Sequence, residues 1–124
     1  MLYVEIVNQS HTIKKGLMFR EHLEPNAGML FQFRHPSIRK FWGLNTYIPL
    51  DIAFIDSNGE IVKIAKIKPF CTDGISSEHN CVIAIEANEG YFDDMGIKEG
   101  DKIDLSKDDL GFDVVFFDKN KKEK

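Results

Sequence analysis

The chain has 124 residues, of which 43% are hydrophobic and 29% charged, and its formal net charge is −4. That length gives one domain able to bury a core without disulfide or metal staples, and ten Phe against four Pro exclude a disordered chain. No apolar run approaches the ~20 residues that span a bilayer, and the opening Met1-Leu2-Tyr3-Val4-Glu5 is neither a basic leader nor an apolar signal core, so a cytoplasmic protein with no membrane contact is expected.

Residues 2–7 read as a strand, with Leu2, Val4 and Ile6 on one face and Glu5 on the other. Asn8-Gln9-Ser10 supplies capping residues for a helix predicted over residues 11–23, with Ile13, Leu17 and Met18 near one stripe. Gly16 inside that helix points to close backbone packing. Pro25-Asn26-Ala27-Gly28 forms a turn. The period then changes to two, with Met29, Phe31 and Phe33 alternating against Leu30 and Gln32, which predicts a strand.

A further strand is predicted over residues 39–47, ending at Ile48-Pro49. Proline has no N–H to donate, so Pro49 belongs at an edge, a bulge or a strand start. Residues 50–55 and 61–67 flank Asp56-Ser57-Asn58-Gly59-Glu60, a hairpin signal in which Asn-Gly accepts positive φ. The uneven spacing of Lys63, Lys66 and Lys68 suggests a bulge. Residues 81–87 form another strand, with Ile83 and Ile85 on one face and Glu86 on the other. One or two helical turns follow, stopped by Gly96. Two last strands are predicted at 102–105 and 111–117, the second apolar on both faces. About seven strands and one main N-terminal helix favour a compact β-sandwich or barrel with that helix packed on it. One mainly-β domain is expected over 1–118, followed by a basic, frayed tail at 119–124.

Charge is uneven along the chain. Residues 1–50 carry six basic and three acidic side chains, and residues 86–118 carry eleven acidic side chains against three lysines. The one dense lysine run is the terminal tail, so nucleic acid is a weak hypothesis. Cys71 and Cys81 are the only cysteines; they read as free thiols, one in a loop and one on a strand. Together with His79 they match no zinc spacing, and neither a metal nor a cofactor is expected.

Several stretches carry a resemblance: Gly16-Leu17-Met18-Phe19-Arg20, Gly28-Met29-Leu30-Phe31-Gln32-Phe33, Phe41-Trp42, Asn45-Thr46 and Ile48-Pro49-Leu50-Asp51. In order and spacing they resemble the signature of domain of unknown function 192, across residues 2–104. Thr12, Phe54, Asp56, Gly59, Glu86, Gly90 and Gly100-Asp101 fall where that pattern has like residues. The resemblance implies a mainly-β, jelly-roll-like domain with short helices and no settled activity. It departs at Gly43-Leu44, where the family continues Phe-Trp with Met and a polar or basic residue. The segment after Leu105 lies beyond it.

The polar members of the motif are Arg20, Asn45, Thr46, Asp51 and Asp56. Two readings of them stand side by side. In one, Arg20 forks onto an anionic ligand while Trp42, Asn45, Thr46 and Asp51 complete a pocket. In the other, Arg20 pairs with Asp51 to tie helix to sheet, and Asn45 and Thr46 satisfy irregular backbone beside Pro49. Phe31, Phe33 and Phe41 read as core, with Trp42 undecided between core and platform. Serine-nucleophile, phosphate-loop and zinc-protease motifs are absent. The expected function is therefore a non-enzymatic binding or accessory domain for a small molecule or protein partner. The alternative is a small hydrolase using Asp51 or Asp56 beside Arg20.

Overall fold

Alternating apolar residues dominate this chain, and strands form wherever the alternation is unbroken. The computed structural model describes residues 1–119. In chain order these hold β1 (Leu2–Val7), α1 (Ser10–Lys15), β2 (Ala27–Ser37), β3 (Lys40–Phe41), β4 (Leu50–Ile55), β5 (Ile61–Ile67), β6 (Ile75–Ser76), β7 (Cys81–Asn88), α2 (Tyr91–Asp94), β8 (Lys102–Lys107) and β9 (Asp113–Asp118). Seven strands make one sheet in the order β5-β4-β7-β2-β1-β9-β8, and β3 pairs with β6 alone. β1 and β2 are parallel, joined across α1, and the other pairs are antiparallel.

The sheet curls into a half-barrel, as right-handed strand twist accumulates across many strands. At one end its two edge strands meet. Glu60 bridges to Lys102, and the Ile103 N–H donates to the Gly59 carbonyl at 2.9 Å. Both faces are covered, so β4 is buried along its whole length. Leu30, Ala53, Ile55 and Ile85 point to one cluster, which Tyr91 and Phe92 of α2 help to close. Met29, Phe31, Ile52 and Phe54 point to the other, closed by Leu17, Leu23 and Ile48. The mainly-β single domain with few helices is therefore what the sequence leads one to expect.

The hairpin of β4 and β5 turns at Asn58-Gly59, with Gly59 at φ 80°. The Asp56 Oδ1 accepts the Asn58 and Glu60 N–H groups at 2.9 and 3.0 Å. A register shift falls between Phe54 and Ile55, ahead of Lys63; Lys63 and Lys66 stand in regular register opposite Phe54 and Asp51, so the bulge expected from the lysine spacing does not lie between them. Pro49 stands immediately before β4.

Two expectations are corrected. The helix predicted over 11–23 ends at Lys15. Gly16 takes φ 49° and ψ −130°, a conformation only glycine adopts freely, and Phe19 is also at positive φ. The chain beyond α1 is a series of turns that drops Leu17 and Leu23 into the core. The strand predicted over 39–47 is reduced to Lys40–Phe41. Gly43 is the reason: a Cβ there would lie 2.0 Å from the Lys68 carbonyl oxygen. Its N–H donates to the Cys71 carbonyl at 2.9 Å, and Asn45 takes φ 57°. Close packing and a left-handed residue turn this stretch into a loop lying over the sheet. Of the lysine tail, only Lys119 is among the described residues.

Candidate functional site

One buried strand residue breaks the apolar pattern on the face that carries Phe31 and Phe54. Strand alternation in β7 places Glu86 directly opposite Met29 on β2 and Ile52 on β4. It is 5% exposed. Its carboxyl has no hydrogen-bond or ion-pair partner among the described residues, and burial pushes its pKa up to about 8. At pH 7 it is mostly a neutral acid with an O–H to donate. Buried polar groups are almost always bonded, so an unpartnered one needs a physical account.

Glu86 faces a cavity of about 410 Å³, within the ~300–1,000 Å³ range of small-molecule sites. Phe31 and Glu86, 1% and 5% exposed, are among its most buried lining residues. One wall is α1 and its exit, through Ile13, Leu17 and Met18; the other is the loop over the sheet, through Phe41, Trp42, Leu44 and Thr46. Gly16 lets the first wall come close, since a Cβ there would lie 3.3 Å from the Phe31 ring. Phe41 packs edge-on against Phe31 and Phe54, with centroids 5.0 and 5.8 Å apart. The exposed Lys14, Lys15 and Lys40 and the half-buried Arg39 border the opening. The Arg39 guanidinium lies 4.0 Å over the Phe33 ring, and its Nη2 donates to the His35 carbonyl at 2.6 Å. Its buried Nε–H has no partner. The cavity is thus apolar along its walls, cationic at its border and acidic but uncharged where Glu86 lies buried.

Of the five residues predicted to form a site, the cavity brings together two. Trp42 lines it at 50% exposure, and Thr46 lines it while buried. Arg20 lies elsewhere and makes a two-pronged ion pair with Glu5 of β1, its Nη2 donating to Oε1 at 3.0 Å. That pairing replaces the expected Arg20–Asp51 contact. Asp51 instead accepts the Gly90 N–H at 3.0 Å and the Lys66 ammonium at 3.1 Å. It ties β4 to β5 and to the turn before α2. Asn45 acts through its backbone, its carbonyl accepting the Phe19 N–H at 2.8 Å. Neither Asp51 nor Asp56 stands beside Arg20, so the arrangement a hydrolase reading needs is missing from these residues.

Arg39 and the lysines around the opening lie outside the motif, and Glu86, which falls within the family pattern, is not among the residues predicted to form the site. One signal for Glu86 was available: a carboxylate in a strand apolar on both faces must be buried wherever the sheet is covered twice. Cys71 and Cys81 are free thiols. Burial pushes the Cys81 thiol up, opposed by its hydrogen bond with Ser77 and by the Arg39 charge.

The sequence profile of the DUF192 family, described as "Uncharacterized ACR", matches residues 1–105. No curated protein is significantly similar to the chain. Among solved structures, a protein described as a "putative transcription regulator" from Sinorhizobium meliloti 1021 is 34% identical, with a TM-score of 0.79 over 82% of this chain and 79% of its own. A protein of unknown function from Novosphingobium aromaticivorans is 35% identical, with a TM-score of 0.77 over 80% of this chain and 71% of its own. β9 lies beyond the matched residues, yet it pairs with both β1 and β8 and buries Val114 and Val115.

Proposed function

The chain belongs to the DUF192 family, and we propose that it is a non-enzymatic binding domain that takes a small molecule into the cavity over Glu86. The observation that carries this reading is the buried, unpartnered Glu86 carboxyl lining a 410 Å³ space. A carboxyl placed there purely for stability would be a poor choice, because an apolar residue of similar size would remove its desolvation cost. Trp42 and Leu44, both 50% exposed, fit a mouth that a ligand covers. The domain is taken to work in the cytoplasm, where its free thiols would stay reduced.

The reading is tested by titrating the ¹⁵N-labelled chain with a library of neutral, anionic and cationic aromatic fragments. Amide shifts confined to residues 13–18, 39–46 and 86 are expected for at least one fragment. Fragments that bind only elsewhere, leaving those amides unmoved, contradict the reading.

A further inference from the structure

We propose that the ligand is a hydroxyaryl carboxylate, a flat apolar body with an anionic group at one end and a hydroxyl at the other. This rests on the reading of the cavity as a ligand site and adds the chemistry of the occupant.

The argument starts from the polar groups facing the space. At the opening stand four cationic side chains, Lys14, Lys15, Arg39 and Lys40, and no acidic residue other than Glu86 lines the cavity among the described residues. Of these cations, Arg39 is held in place by the Phe33 ring and the His35 carbonyl, so the border presents a fixed positive charge. A carboxylate supplies the complementary charge, and guanidinium and ammonium groups bind it through charge-assisted bonds. The walls are apolar, and Phe31 and Phe41 already meet edge to face at 5.0 Å. A third ring continues that packing in the geometry aromatic pairs prefer.

The buried acid decides the rest. Glu86 is buried to 5% exposure and bonded to nothing among the described residues. An alkyl tail would leave it unsatisfied, at a cost of the order of 1–3 kcal/mol. A hydroxyl both donates to and accepts from a neutral carboxyl. A buried ammonium would also satisfy Glu86, but an amine must first pass four cations. An α-amino acid fails for a different reason: its ammonium and carboxylate are adjacent, whereas no cation lies near enough to Glu86 to influence its ionisation. The anionic and hydroxyl ends must therefore be held apart by the ligand body, as the two ends of a para-substituted ring are.

The experiment titrates the labelled full chain at pH 6.5 with para-hydroxyphenylacetate, phenylacetate, para-hydroxyphenylacetamide and tyramine. Para-hydroxyphenylacetate is expected to move the amides of Met18, Phe31, Thr46 and Glu86. It should bind about tenfold tighter than its uncharged amide and about fivefold tighter than phenylacetate. In Glu86→Leu, which replaces one buried side chain by an apolar one and should fold, the preference over phenylacetate should vanish while phenylacetate binding is kept. Lys14→Glu with Lys15→Glu should abolish the preference over the amide. If the amide or tyramine binds at these residues as tightly as the acid, the cavity is a ligand site of another class and the proposal fails. If none of the four probes moves these amides, the proposal also fails, and the fragment library then decides whether the wider reading survives.

Discussion

Replacing Glu86 by Gln isolates the consequence of burying a carboxyl without a partner. Gln has nearly the same shape as the protonated acid but does not ionise. Burial raises the Glu86 pKa from 4.5 to about 8, so the folded chain binds that proton more tightly than the unfolded one. Stability from this group is therefore complete below pH 4.5 and is lost as pH rises toward 8, by roughly 1.4 kcal/mol per pH unit. The full loss is about 5 kcal/mol, a large share of the ~5–15 kcal/mol that holds a domain folded. Thermal unfolding of the parent and Glu86→Gln, measured from pH 5.5 to 8, reads the effect as a difference. The parent should lose about 3 kcal/mol relative to the variant over that span, equivalent to roughly 10 °C in Tm. Parallel curves for the two proteins would refute the reasoning, because Glu86 would then titrate alike in both states.

The hairpin and the central strands were legible because each carries a strict apolar alternation and a turn with one clear solution, Asn58-Gly59. The predicted helix runs past the observed one because Ile13, Leu17 and Met18 lie near helical spacing. The period does not reveal that Gly16 takes a conformation closed to other residues. The strand predicted over 39–47 is cut short for a similar reason. Gly43 is held against Lys68 and Cys71, which are far away in sequence and close only after folding. The same limit applies to the site. Trp42 and Thr46 stand out as unusual residues in a motif, and both line the cavity. Arg20 and Asp51 stand out equally, yet their partners are Glu5, Lys66 and Gly90, a choice set by strand order. Glu86 was visible as a residue on the second face of β7, but its isolation depends on what the neighbouring strands place beside it.

Gly43→Ala should destabilise the chain by about 3 kcal/mol, since its Cβ would fall 2.0 Å from a carbonyl oxygen; chemical denaturation checks this, and a loss under 1 kcal/mol would mean that the loop can shift freely. Asp51→Ala leaves the Gly90 N–H without its acceptor and should cost about 2–3 kcal/mol, read in the same denaturation assay. Arg20→Ala removes an ion pair whose side chains are 39% and 55% exposed, so its cost should stay near 1 kcal/mol or below and shrink further in high salt.

The most direct measurement follows the Glu86 side-chain carboxyl by ¹³C NMR through a pH titration, with and without para-hydroxyphenylacetate. An isolated acid lining a ligand cavity should titrate near pH 8 in the free chain, and its midpoint should move when the ligand's hydroxyl bonds to it. A midpoint near 4.5, unchanged by any ligand, would contradict both the burial of Glu86 and the role assigned to the cavity.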